Sequence, residues 1–121
     1  MTRTVLAVDD SRTMRDMLRL ALTEVGIKAH FAEDGVHGLE VLEGLEPDAI
    51  ITDINMPRMD GFGFISAVRK RPEYRGVPIL VLTTESAPEL KQRAREAGAT
   101  GWIVKPFDPA KLVRAIDMVA G

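Results

Sequence analysis

Residues 4–26 read TVLAVDDSRTMRDMLRLALTEVG, and this stretch decides the fold. Four apolar residues, Val5 to Val8, run into two acids, Asp9 and Asp10. A longer segment follows, with its apolar residues at Met14, Met17, Leu18, Ala21, Leu22 and Val25. The first run has the length and near-continuous apolarity of a strand covered on both faces. The second has the i, i+3, i+4, i+7, i+8, i+11 spacing of one helix face. Ser11 or Asp10 can cap that helix, and Gly26 can end it.

Working outward, the same unit recurs along the chain. Short apolar runs fall at Ala29–Ala32, Ala49–Thr52, Ile79–Leu82 and Gly101–Val104. The run around His30 is the least apolar and reads as an edge strand. Between and after the runs lie helical segments. One spans Gly35 to about Leu45, with Val36, Leu39, Val41 and Leu42 on its inner side. Another starts near Gly61, carries Phe64, Ile65 and Val68, and is stopped by Pro72. A third opens with Ser86-Ala87-Pro88-Glu89, a capping-box pattern with proline in the first turn. The last opens with Asp108-Pro109 and buries Leu112, Val113, Ile116 and Val119. Strand–helix alternation of this kind specifies an α/β fold, a parallel sheet with helices on both faces. Five units are too few to close a barrel, so the reading is an open, doubly wound (βα)5 sheet. The expected strand order is 2-1-3-4-5, one of the two common orders of such sheets.

Composition narrows the function. The 121 residues are 45% hydrophobic and 28% charged, as in one compact domain, and residues 1–121 are read as that domain. With no cysteine, a disulfide scaffold, a thiolate metal site and a cysteine nucleophile are excluded. A net charge of -2 argues against non-specific nucleic-acid binding. No apolar run approaches the ~20 residues of a membrane span. The N-terminal residues lack a signal-peptide pattern, so the expected compartment is the cytoplasm. A separate output domain does not fit this length.

In an open parallel sheet, sites form at the carboxyl ends of the strands. The residues there are Asp9 and Asp10 after the first strand, Asp53 after the third, Thr83-Thr84 at the fourth and Lys105-Pro106 after the fifth. Neighbouring first and third strands bring Asp9, Asp10 and Asp53 together. Two carboxylates ~5 Å apart repel by roughly 3 kcal/mol at an effective dielectric of ~20. Three such pairs cost about 10 kcal/mol, comparable with the ~5–15 kcal/mol stability of a domain. A divalent cation, Lys105 or a raised carboxylate pKa can relieve the cluster. All-oxygen donors favour Mg²⁺ over zinc. An aspartate beside Mg²⁺ can attack a phosphoryl group, with Lys105 and Thr83 contacting its oxygens.

The chain resembles the receiver domains of two-component response regulators, in particular the single-domain chemotaxis members. The resemblance covers the whole chain. It rests on Val8-Asp9-Asp10-Ser11, Asp53-Ile54-Asn55-Met56-Pro57 followed by Met59-Asp60-Gly61, Leu82-Thr83-Thr84, and Val104-Lys105-Pro106-Phe107. It implies a flavodoxin-like sheet and a signalling phosphoacceptor rather than an enzyme with a substrate of its own. Asp53 is then the phosphoacceptor, taking phosphate from a phosphohistidine. Asp9, Asp10 and Asp53 hold Mg²⁺ together with the Asn55 backbone carbonyl. Lys105 contacts the phosphoryl group, and its peptide bond to Pro106 is expected cis. Thr83 moves toward the phosphate, and Trp102 changes rotamer with it. The face of the fourth helix, fifth strand and fifth helix is thereby remodelled. Trp102 stands where tyrosine or phenylalanine is usual. Asn55, Thr84 and Glu85 tune the lifetime of the phosphoryl group, with Thr84 bulkier than the residue common there. The implied partners are a CheA-type histidine kinase, the flagellar motor switch protein and a phosphatase, with the chain acting as a monomer. The alternative is a phosphate sink or phosphorelay intermediate that does not bind the motor.

Other patterns carry less. Gly61-Phe62-Gly63-Phe64-Ile65-Ser66 lacks the third glycine of a dinucleotide fingerprint. A haloacid-dehalogenase-type phosphatase resembles D-x-D at its nucleophile, whereas Asn55 occupies the second position here. His30 and His37 read as surface residues, and Arg69-Lys70-Arg71 reads as a solvated helix end. Met56 and Met59 fit loop packing as well as kinase docking.

Overall fold

The computed structural model describes residues 3–121. Five strands, β1 (Thr4–Val8), β2 (Lys28–Ala32), β3 (Ala49–Thr52), β4 (Ile79–Thr83) and β5 (Gly101–Val104), form one parallel sheet in the order β2-β1-β3-β4-β5. Five helices alternate with them: α1 (Arg12–Glu24), α2 (Gly35–Leu42), α3 (Gly61–Arg69), α4 (Pro88–Ala97) and α5 (Pro109–Ala120). The topology is the one expected, with the His30 strand at an edge.

Alternation along the strands explains the two cores. Leu6, Val8, Ile50, Ile79 and Val81 point to one face and pack with α2, α3 and α4 through Leu42, Phe64, Ile65, Val68 and Ala94. Val5, Ala7, Ala49, Ile51, Leu80 and Leu82 point to the other and meet α1 and α5 through Leu18, Ala21, Leu22, Leu112 and Ile116. Each fully buried Leu or Ile contributes roughly 1.5–3 kcal/mol, so the central strands anchor everything that projects from their ends.

Several details depart from the sequence reading. Met17 and Val25 are exposed rather than part of the α1 stripe. Met17 lies about 100° around the helix from Leu18, and Val25 has already left helical backbone at φ -103°, ψ 13°. Ser11, not Asp10, caps α1, accepting from the Met14 N–H. Helix α2 stops at Leu42, because Gly44 turns the chain at φ +79° before Leu45. Val113 and Val119 of α5 are only half-buried. The Ser86–Glu89 capping box does not form: the N-cap of α4 is Ala87, with no side-chain cap bond. Pro88 disfavours helical backbone at the residue before it, so Ala87 is extended at ψ 131° and the helix starts one residue later than the box requires.

Candidate functional site

The carboxyl ends of β1, β3, β4 and β5 define the site. Where β1 stops, the Asp9 N–H still pairs with the Ala32 carbonyl at 3.0 Å, and where β3 stops, the Asp53 N–H pairs with Val8 at 3.0 Å. Both aspartates thus leave the sheet from fixed backbone. Past β5, the Lys105 N–H bonds the Thr83 carbonyl at 2.7 Å, and the Lys105–Pro106 bond is cis as expected. The Lys105 ammonium lies between the two acids, donating to Asp9 Oδ2 at 2.9 Å and Asp53 Oδ2 at 2.7 Å. All three side chains are nearly enclosed, at 10% exposure for Lys105, 2% for Asp9 and 11% for Asp53. Their second oxygens are also used. Asp9 Oδ1 accepts from the Ser11 N–H at 2.9 Å and Asp53 Oδ1 from the Ile54 N–H at 2.6 Å.

Asp10 is exposed, yet one of its oxygens and one each of Asp9 and Asp53 lie within 4.8 Å of one another. Three hard carboxylate donors, two enclosed and one open to water, suit Mg²⁺. Two reliefs of the repulsion are visible without it. Lys105 pairs with both buried acids. The Asp9 pKa is also raised above the usual carboxylate value, because burial outweighs the hydrogen bonds from Lys105 and Ser11. Burial alone lowers the Lys105 pKa, but its bonds to Asp53 and Asp9 carry it above the usual lysine value.

Thr83 is fully buried at the end of β4, and its Oγ1 accepts weakly from the Glu85 N–H at 3.4 Å. The half-buried Trp102 indole donates to the Glu85 carbonyl at 3.0 Å. One backbone residue therefore touches both Thr83 and Trp102. Asn55 and Thr84 are exposed and Glu85 is half-buried at the rim.

Sequence reasoning missed three residues around this site. Arg15 Nη1 donates to the Asp9 carbonyl at 2.7 Å. Asp34 caps α2 and also binds Arg58 in a two-pronged bond, Nε to Oδ2 at 2.8 Å and Nη2 to Oδ1 at 3.0 Å. Asp34 before Gly35 is readable as a cap; nothing in the sequence marks Arg58 as its partner. Four residues given no site role in the sequence reading also take structural parts. Half-buried His37 accepts from the Glu33 N–H through Nδ1 at 3.1 Å. Arg69 is not a solvated helix end: its guanidinium donates to the carbonyls of Gly98, Tyr74 and Arg75, and burial lowers its pKa. Met56 and Met59 pack against the core, which favours the loop-packing reading.

The family model for the response regulator receiver domain matches residues 5–117. The "Probable chemotaxis protein CheY" of Rhizobium etli is 40% identical over 118 residues, covering 97% of this chain and 92% of that protein. The solved chemotaxis response regulator CheY4 of Vibrio cholerae superposes with a TM-score of 0.93 at 44% identity, covering 98% of this chain and 99% of that one. The receiver domain of sensor histidine kinase PA1611 from Pseudomonas aeruginosa superposes with a TM-score of 0.92 at 26% identity, covering 100% and 99%. That structure holds a magnesium ion coordinated in its active site cleft.

Proposed function

The chain belongs to the response regulator receiver domain family, and from its homology to chemotaxis response regulators we propose that it is a single receiver domain, residues 1–121, that carries a phosphoryl signal on Asp53. The observation that carries this reading is the Lys105 ammonium shared between Asp9 and Asp53 at the strand ends. It is a signalling protein and not a conventional enzyme: it catalyses only the arrival and loss of its own phosphoryl group.

The chemistry follows from the residues. A carboxylate oxygen of Asp53 attacks the phosphorus of a phosphohistidine. The new O–P bond forms as the P–N bond breaks, with its electron pair going to the imidazole nitrogen. Asp9, Asp10, Asp53 and the Asn55 carbonyl hold Mg²⁺, which offsets charge on the phosphoryl oxygens when bound. Lys105 trades a carboxylate oxygen for a phosphoryl oxygen, and the Thr83 hydroxyl donates to another. Drawing Thr83 inward loosens its contact with Glu85, and through Glu85 the indole of Trp102 changes position. Asn55, Thr84 and Glu85 at the rim set how readily water reaches the acyl phosphate; Thr84→Ala changes the rate of autodephosphorylation. The donor is a CheA-type histidine kinase. Output passes from the monomer to the flagellar motor switch protein, and a phosphatase resets it. No helix among the described residues is long and apolar enough to cross a membrane, and the cytoplasm is the compartment in which these partners meet it.

Transfer from a histidine-phosphorylated CheA-type kinase, followed by capture on the motor switch protein with and without beryllofluoride, tests this reading. Transfer to the wild type but not to Asp53→Asn, with motor binding only under beryllofluoride, is the expected result. Transfer with no motor binding in either state replaces the motor reading with that of a phosphate sink. No transfer removes the receiver reading.

A further inference from the structure

The turn between Asp53 and α3 is tied at its base and at its tip. At its base, the Gly61 N–H donates to the Ile54 carbonyl at 2.8 Å. A Cβ at Gly61 would meet the Asp53 carbonyl oxygen at 2.2 Å, so only glycine lets α3 start this close to the strand end. At its tip, Arg58 grips Asp34 through two nitrogens at 2.8 and 3.0 Å. Beside that pair the Gly35 N–H donates to the Met59 carbonyl at 3.1 Å.

Two features set the Arg58 pair apart from ordinary surface ion pairs, which contribute little. The Asp34 side chain is 5% exposed, although that of Arg58 is 55% exposed, and the contact is bidentate, the stronger geometry. Arg58 also sits at φ +64°, a left-handed backbone that a residue with a Cβ adopts only at a cost. Glycine or asparagine is the easy choice there. The residue present is one long enough to reach Asp34. The Arg58 hydrogen bond in turn holds the Asp34 pKa below the usual carboxylate value.

We infer that Asp34 and Arg58 are positioning residues for the metal and phosphoryl site: their pair fixes the turn over residues 54–60, so that the Asn55 carbonyl is presented to the Asp9–Asp10–Asp53 cluster. This rests on the receiver reading, from which the Asn55 carbonyl takes its role as a ligand.

The test uses Mn²⁺ as the probe, with free Mn²⁺ read by electron paramagnetic resonance and Mg²⁺ measured by competition. The variants are Asp34→Asn, Arg58→Gly, the double variant and Arg58→Lys. Asparagine caps a helix as well as aspartate does, so Asp34→Asn removes the ion pair and keeps the α2 cap. Arg58→Gly removes the pair and relaxes the backbone, so its melting temperature stays near that of the wild type. Each single change weakens Mn²⁺ binding by about tenfold, as loss of a partner behind the ligands does. The double variant is no weaker than the worse single one, since both act through one contact. Arg58→Lys keeps the charge without the fork and recovers part of the loss. Affinities within twofold of the wild type in both single variants, or losses that multiply in the double, overturn the inference and leave the receiver reading intact. A wild type that binds no Mn²⁺, indistinguishable from Asp9→Asn, overturns both.

Discussion

Lys105 brings one positive charge to two buried carboxylates, so the enclosed part of the site keeps an uncompensated negative charge until a cation or a proton arrives. Asp9 bears that imbalance, since burial raises its pKa. An acid whose folded pKa is raised stabilises the fold most fully below its unfolded value, here 3.8, and loses that contribution as pH rises through the folded value. Metal-free protein at neutral pH therefore carries a penalty from Asp9. Asp9→Asn removes it: the melting temperature without metal rises by about 3–5 °C at neutral pH, the equivalent of roughly 1 kcal/mol in a chain this size. The gain shrinks as pH falls toward 4. Thermal melts across pH check this, and a gain that grows on acidification contradicts it. At this scale Asp9, Asp10, Asp53, Thr83 and Lys105 were readable in the sequence, because each directly ends or follows an apolar run. The pairing of Arg58 with Asp34 was not. They lie 24 residues apart in two different loops, and only the β2-β1-β3 order brings those loops together.

Helix starts govern how the elements hold the site. Ser11, Asp34, Asp60 and Asp108 each cap a helix through a side chain, whereas α4 starts at Ala87 with none. The Ser11 and Asp108 caps are the ones read from the sequence; Asp34 and Asp60 were not read as caps, and the Ser86 box fails because Pro88 dictates the backbone before it. Ala87→Asp supplies the missing cap and stabilises the protein by about 1 kcal/mol in urea unfolding. No change, or a loss, means the N-terminus of α4 is satisfied in another way. The start of α3 behaves oppositely. Gly61→Ala forces a methyl group against the Asp53 carbonyl and displaces either α3 or the strand end. The expected cost is about 3 kcal/mol or more, in the range of overpacked and strained sites, together with loss of phosphorylation. An alanine variant of normal stability and normal phosphorylation contradicts the packing described. Arg69 shows why surface-looking charge runs mislead. The carbonyls it satisfies, at Gly98 and around Tyr74, come from elements that meet only in the folded chain.

Across the whole molecule, the sheet carries the acids at one end and a helix layer packs on each of its faces. A chain of contacts runs from Thr83 to the Glu85 backbone to Trp102, which lies against the core that holds α4, and the proposed switch uses it. As the sole tryptophan, Trp102 reports on it directly. Its emission shifts when beryllofluoride and Mg²⁺ are added to the wild type and not to Asp53→Asn; emission unchanged in the wild type removes Trp102 from the switch. The fold itself was legible throughout, because both faces of the central strands are buried and their apolar runs are unbroken. The edges of that reading failed where a helix end or a loop contact depends on partners distant in sequence. The most direct test of the whole account is intact mass after incubation with acetyl phosphate, with and without Mg²⁺, for the wild type and Asp53→Asn. A single phosphoryl adduct that requires Mg²⁺ and is absent in Asp53→Asn is the predicted result. An adduct that persists in Asp53→Asn, or a wild type that forms none and also fails to bind beryllofluoride, contradicts it.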